Sequence, residues 1–99
     1  MKFIFTGASG FIGTHFTEKL KNDIAHNFDI DEPKIRNNHT NLNILDSKKL
    51  LDFNIDKTND YTLIHLAAVH FDFQRSYYET NVQGTKNILE FVKKNKIKN

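Results

Sequence analysis

The sequence predicts an α/β fold, in which helices cover both faces of a parallel sheet of about four strands. Short apolar segments alternate along the chain with segments whose apolar residues recur at helical spacing. The run at 61–69, YTLIHLAAV, is the most continuous apolar stretch, as expected of a strand covered on both faces. Strands that alternate with helices in this way are typical of parallel sheets with right-handed crossovers.

The first half of the chain predicts two strands separated by one helix. Residues 2–5 are apolar and aromatic-rich, which favours a buried strand. Apolar residues then recur at helical spacing over 11–20, with charged residues on the other side. Residues 24–30, IAHNFDI, predict a second strand, and the polar, asparagine-rich stretch 34–41 predicts a loop.

The second half predicts a third strand, a short helix, the apolar strand at 61–69 and a long final helix. The third strand is the weak alternation at 41–45, NLNIL, and Asp46 or Ser47 is the expected N-cap of the short helix. The long helix begins near Ser76 and carries two neighbouring apolar stripes: Tyr78, Val82, Thr85, Leu89 and Val92 in one, and Tyr77, Asn81, Gly84, Ile88 and Phe91 in the other.

Size and composition indicate a single globular domain, residues 1–99. The 99 residues are 38% apolar and 26% charged, and the net charge is +2, so no nucleic-acid or membrane partner is expected. There is no cysteine, which excludes disulfides and thiolate metal sites, and no metal site is predicted. No stretch reaches the length of a membrane span, and the cytoplasm is the expected compartment.

The segment TGASGFIG carries the main functional signal. Gly7, Gly10 and Gly13 stand at a spacing of three between a predicted strand and a predicted helix. In that context Gly7 permits a tight turn, Gly10 lets backbone N–H groups approach a phosphate, and Gly13 lets the helix pack closely. The helix N-terminus adds N–H donors and a partial positive charge. With Asp29 near the end of the second strand, the pattern predicts a site for a dinucleotide pyrophosphate.

These motifs resemble those of the NAD-dependent epimerase/dehydratases of the extended short-chain dehydrogenase/reductase family. Besides TGASGFIG, the segment YTLIHLAAVH resembles the fourth strand of that family with its His-x-Ala-Ala turn. YYETNVQGTKNILEF resembles the following helix with its Asn-Val-x-Gly-Thr signature. The resemblance implies a Rossmann-like sheet with strand order 3-2-1-4, which would be incomplete at its C-terminal edge.

The resemblance implies which residues would contact the cofactor. Phe11 and Ile12 would line the pyrophosphate together with the three glycines, and Asp29 would accept hydrogen bonds from the adenosine ribose. That carboxylate would repel a 2′-phosphate, so NAD is favoured over NADP; Asp31 is the alternative ribose ligand. The remaining cofactor contacts implied are Asn43 and Ile44 near adenine, where the family usually has Asp-Ile, and Leu66, Ala67 and Ala68 near the phosphates and the nicotinamide ribose. Asn81, also assigned to the cofactor site, matches the family asparagine whose amide braces the active-site region.

The catalytic residues of the family have no counterpart here. The family uses a Tyr-x-x-x-Lys pair, and none of Tyr61, Tyr77 and Tyr78 is followed by lysine four residues later. No catalytic residue is therefore assigned, and a nucleotide sugar would be a partner only of a longer chain that adds a C-terminal part. His65 is expected to be a hydrogen-bonded core residue.

Three functional interpretations remain open at this point. The first is the truncated cofactor-binding portion of an epimerase/dehydratase-like oxidoreductase. The others are a stand-alone dinucleotide-binding or sensing module and a non-functional gene fragment. The second stripe on the final helix is consistent with a homodimer interface, and equally with a surface that covers a missing part of the sheet.

Overall fold

The computed structural model describes residues 1–20, 22–33, 38–67 and 76–98, with the backbone alone for residues 76–80. Its elements in chain order are β1 (Lys2–Thr6), α1 (Phe11–Leu20), β2 (Ile24–Asp29), β3 (His39–Asn41), α2 (Ser47–Asp52), β4 (Tyr61–His65) and α3 (Ser76–Asn95). None of the helices in the described residues is long and apolar enough to cross a membrane.

The strands form one parallel sheet in the order β3-β2-β1-β4, which confirms the predicted order. Thr6, the last residue of β1, pairs with Phe28 of β2 on one side and with His65 of β4 on the other. The carboxyl ends of the three strands therefore lie side by side at one edge of the sheet. In open parallel sheets this edge is where ligands bind.

Alternation along β1 divides the core between the two faces of the sheet. Ile4 and Phe5 are both fully buried, but successive residues of a strand point to opposite faces. Ile4 belongs to a cluster with Leu50 of α2 and Phe91 of α3, whereas Phe5 packs with Ile24 and residues around α1. Helices thus cover both faces, as predicted.

The third strand is displaced from its predicted position. The sequence predicted a strand at 41–45 after a loop at 34–41, whereas β3 spans His39–Asn41. One further hydrogen bond, from Leu42 N–H to the Asp29 carbonyl, extends the pairing. Asn43 then turns the chain, since its side-chain oxygen accepts the Leu45 N–H at 2.9 Å. The alternation in NLNIL reflects burial of Leu42 and Ile44 in the core after the strand has ended.

The two long-helix stripes have different environments. Gly84, Ile88 and Phe91 of one stripe are buried against the sheet, whereas Leu89 of the other is 62% exposed. Asp46 is the N-cap of the short helix α2, because its carboxylate accepts the Lys49 N–H at 3.1 Å. The prediction of Asp46 or Ser47 is therefore resolved in favour of Asp46.

Candidate functional site

The glycine-rich loop lies at the carboxyl edge of the sheet, between β1 and α1. Gly7 has a φ of +74°, which disfavours any residue with a side chain. A Cβ on Gly7 would lie 2.6 Å from the backbone nitrogen of Ala67, beyond the end of β4. The loop therefore contacts the backbone after β4 directly, and a side chain at position 7 would separate them.

Gly10 and Gly13 differ in what the fold requires of them. A Cβ on Gly13 would lie 2.5 Å from the carbonyl carbon of Ala8, so α1 could not pack as closely on the loop. Gly10 is exposed, and a Cβ there would meet only the Gly7 carbonyl oxygen, at an ordinary 3.5 Å. Internal packing therefore explains Gly13 but does not explain Gly10.

The first turn of α1 presents backbone donors that the protein itself does not use. In the described part of the chain, the N–H groups of Phe11, Ile12 and Gly13 have no hydrogen-bond acceptor. The Thr14 N–H is the first to be bonded, to the Gly10 carbonyl at 2.9 Å. The side chains of Phe11 and Ile12 are 80% and 58% exposed. Unbonded N–H groups at the positive end of a helix are the usual elements of an anion site.

The carboxylate of Asp29, at the end of β2, is bound to the glycine-rich loop. Its Oδ2 accepts the Ser9 N–H at 3.0 Å, and its Oδ1 accepts the Asp31 N–H at 2.9 Å. Each oxygen retains a second lone pair for a ligand hydroxyl. Asp31 contributes its backbone, whose carbonyl accepts the Ser9 hydroxyl at 2.9 Å, while its side chain is exposed. Of the two candidates for a ribose contact, Asp29 is the one that adjoins the loop.

Asn27 is a site residue that the sequence reasoning missed. Its side chain is fully buried, its Oδ1 accepts the Ala8 N–H at 3.0 Å, and its Nδ2 donates to the Ser9 hydroxyl at 3.4 Å. One feature of the sequence could have indicated that Asn27 belongs to the site. Asn27 and Asp29 are two residues apart on a strand, so both face the same side of the sheet.

A directed chain of hydrogen bonds connects the ends of β1 and β4 to α3. The Thr6 hydroxyl accepts the N–H groups of Leu66 and Ala67, at 3.1 and 3.2 Å, so its own proton is donated to His65 Nδ1 at 2.5 Å. His65 therefore carries its ring proton on Nε2, which donates to the Thr85 hydroxyl at 3.1 Å. Thr85 in turn donates to the carbonyl of Asn81 at 2.6 Å. His65 is thus hydrogen-bonded through both ring nitrogens, as predicted, but it is half-buried and belongs to neither core cluster.

Burial lowers the pKa of His65, and it also lowers the pKa of His26. Both rings are therefore favoured in their neutral form in the folded protein, while the unfolded chain takes up protons near pH 6.5. We expect the free energy of unfolding to be constant above about pH 7 and to fall as the pH is lowered through 6.5.

Urea unfolding between pH 7.5 and 5 measures this dependence. The His26→Phe variant is the control, because it removes one of the two histidines whose pKa is lowered by burial and should reduce the slope while leaving its sign unchanged. Stability that rises on acidification over this range would contradict the assignment of neutral rings.

The other predicted cofactor residues are distributed around the same edge of the sheet. Asn43 is exposed in the turn after β3, but the side chain of Ile44 is buried in the core, so only its backbone can face a ligand. Leu66 and Ala67 lie beneath Gly7, and Asn81 is joined to them through the His65 chain. Ala68 lies outside the described residues.

Metal-binding clusters and cavities are the other kinds of candidate site. No group of three or more metal-binding side chains occurs among the described residues. A cavity of about 320 Å³ lies at the opposite edge of the sheet, where it is lined by Met1, Asp60 and Tyr61 at the start of β1 and β4 and by the residues that end α3. The glycine-rich loop is thus separate from this cavity.

The architecture and the loop define a Rossmann-like α/β domain. Residues 3–99 match the model of the NAD dependent epimerase/dehydratase family, and the chain belongs to this family.

Three known proteins illustrate the range of its relatives. The N-acetyl-alpha-D-glucosaminyl-diphospho-ditrans,octacis-undecaprenol 4-epimerase of Escherichia coli O157:H7 is 33% identical over 100 residues, which cover 97% of this chain and 30% of the relative. The structure of L-threonine dehydrogenase from Clostridium difficile superposes with a TM-score of 0.75 at 25% identity, over 98% of this chain and 34% of that one. The dTDP-glucose 4,6-dehydratase of Streptomyces venezuelae, solved with NAD bound, gives 0.66 at 25% identity, over 98% and 37% of the two chains. The chain thus spans about a third of each relative.

Proposed function

We propose that this chain binds NAD and forms the cofactor-binding portion of an epimerase/dehydratase-like oxidoreductase. The observation that carries the proposal is the set of unbonded N–H groups at Phe11, Ile12 and Gly13, next to the exposed Gly10. A diphosphate placed there would accept these hydrogen bonds and would lie at the positive end of α1. The absence of a side chain at Gly10 leaves room for its close approach.

The adenosine ribose would lie against Asp29. The carboxylate is held beside the loop by Ser9 N–H, so a ribose attached to the diphosphate would meet it within the same site. Hydroxyl groups of NAD can donate to a carboxylate, whereas the 2′-phosphate of NADP would be repelled by it. The proposal therefore includes a preference for NAD over NADP. Asn43 and the backbone of Ile44, in the turn after β3, would line one side of the adenine.

The nicotinamide half of the cofactor would extend past Gly7 toward the end of β4. Leu66 and Ala67 lie there with their N–H groups already bonded to Thr6: the Leu66 N–H to its carbonyl and hydroxyl, and the Ala67 N–H to its hydroxyl. These two residues would therefore contact the cofactor without donating hydrogen bonds to it. Bound NAD would supply a hydride acceptor for the reaction. The chain's own residues bind and orient it.

For the whole protein we propose oxidation and reduction of a diphosphate-linked sugar. Two of the relatives described above are named for such substrates, the undecaprenol-linked epimerase and the dTDP-glucose dehydratase. Because the chain spans about a third of these relatives, the sugar and the reaction are proposals about the full-length enzyme.

Calorimetric titration with NAD and NADP tests cofactor binding, with Gly10→Ala and Asp29→Asn as the informative variants. Gly10→Ala should weaken NAD binding at least about tenfold, because the new methyl group intrudes where the diphosphate approaches. Asp29→Asn should weaken NAD binding about tenfold and reduce the discrimination against NADP, because the ribose loses a charged acceptor.

Asp52→Asn is the matched control, since Asp52 is an exposed aspartate at the end of α2. Its affinity for NAD should equal that of the wild type. A folded wild-type chain that binds neither NAD nor NADP would contradict the proposal and would favour a fragment without function.

A further inference from the structure

Asn27 is an unusual residue for its position in the sheet. It lies in β2, one of the two strands that flank β1, and its amide is fully buried. Burial of an amide is costly unless its polar atoms are hydrogen-bonded, and an aliphatic side chain would suit an interior strand better. Both polar ends of Asn27 bond to the glycine-rich loop, to Ala8 and to Ser9. The side chain therefore stabilises the loop through hydrogen bonds and contributes no apolar packing to the sheet.

Side chains of β2 occupy the N–H groups of the loop that precede Gly10. The Ala8 N–H is occupied by Asn27, and the Ser9 N–H is occupied by Asp29. The Ser9 hydroxyl is bonded both to Asn27 and to the Asp31 carbonyl. The segment before Gly10 is thus fastened to the end of β2, and the donors that remain are those of the first turn of α1.

We propose that Asn27 is a positioning residue for the diphosphate of the cofactor. It holds Ala8 and Ser9 in the conformation that directs the N-terminus of α1 toward the diphosphate, and it does not itself touch the ligand. This inference rests on the proposed NAD site. Without the amide, the loop would occupy its binding conformation only part of the time, and the apparent affinity would fall in proportion to that fraction.

The position of Asn27 predicts a selective defect. Ligands that carry the diphosphate, such as NAD and ADP, depend on the loop conformation, whereas adenosine depends on Asp29. Asn27→Leu should weaken NAD and ADP about tenfold, since two hydrogen bonds that fix the loop are lost. Adenosine, titrated by NMR chemical shift, should lose much less affinity than NAD, because Asp29 keeps its bond from the Asp31 N–H even if the bond from Ser9 is weakened.

Asn95→Leu is the matched control for nonspecific damage. Asn95 is also a buried asparagine that donates one side-chain hydrogen bond, to the Phe91 carbonyl at 3.0 Å, but it lies at the end of α3. Both variants should melt below the wild type, and only Asn27→Leu should lose affinity for NAD. Ser9→Ala is a milder second variant, which removes the hydroxyl that Asn27 Nδ2 contacts and should weaken NAD about threefold.

The outcomes separate this inference from the proposed function. If the wild type binds NAD and both Asn27→Leu and Ser9→Ala bind it with the same affinity as the wild type, the role of Asn27 is overturned. The proposed NAD site would then still stand. Equal weakening of NAD and adenosine in either variant would also overturn it, because that pattern indicates general damage. Failure of the wild type to bind NAD would overturn both proposals.

Discussion

Replacement of Gly7 by alanine is expected to lower the free energy of unfolding by about 3 kcal/mol. Two costs combine at this position. The φ of +74° is unfavourable for alanine, and the new Cβ would lie 2.6 Å from the Ala67 nitrogen. The atoms in the way belong to the backbone, so no side chain can rotate to make room. The end of β4 would have to move away from the loop.

Urea unfolding of Gly7→Ala beside Gly10→Ala measures this cost. In Gly10→Ala the new Cβ meets a single atom at 3.5 Å, so its free energy of unfolding should stay within about 0.5 kcal/mol of the wild type. The two variants make the same chemical change three residues apart in one loop. Equal stabilities for both would show that the close approach between Gly7 and Ala67 is absent in solution.

Truncation of Phe91 to alanine is expected to cost about 4 kcal/mol of stability. Phe91 is fully buried, and its ring meets the ring of Phe28 edge-on with centroids 5.6 Å apart. The truncation would remove the side chain that joins α3 to β2 and would leave a cavity between them. A small domain has a total stability of about 5–15 kcal/mol, so this variant should be close to unfolded.

Leu89→Ala, two residues earlier on the same helix, is the control for Phe91→Ala. Leu89 is 62% exposed, and its truncation should change the free energy of unfolding by about 0.5 kcal/mol or less. Thermal unfolding followed by circular dichroism compares the two variants. A larger loss for Leu89→Ala than for Phe91→Ala would mean that the other stripe of α3 faces the sheet.

The sequence was sufficient for the fold because each element carried a local signal. Continuous hydrophobicity marked β1 and β4, and the motif resemblance supplied the strand order. The third strand was misplaced because the alternation of Leu42 and Ile44 with polar residues reflects burial of these two side chains in the core, while backbone pairing extends no further than the Leu42 N–H. Alternation reports which side chains are buried and does not report which backbone groups are paired.

Only part of the candidate site could be predicted from the sequence. Glycine spacing and Asp29 located the loop and the neighbouring carboxylate, because both lie in local patterns. The roles of Asn27 and of the Thr6 hydroxyl depend on the register between strands that are far apart in the chain. Likewise, the spacing does not distinguish the three glycines, whereas in the structure packing accounts for Gly7 and Gly13 and does not account for Gly10.

The central position of β1 has a consequence for the order in which the protein is assembled. Thr6 emerges early in synthesis, yet its partner His65 follows 59 residues later. Pairing over such a distance closes a large loop and is slow compared with local helix formation. The contact between Gly7 and Ala67 therefore cannot form until β4 and the residues after it have been synthesised. A nascent chain that has not yet reached β4 has its glycines in place but lacks the backbone of Leu66 and Ala67 against which Gly7 packs.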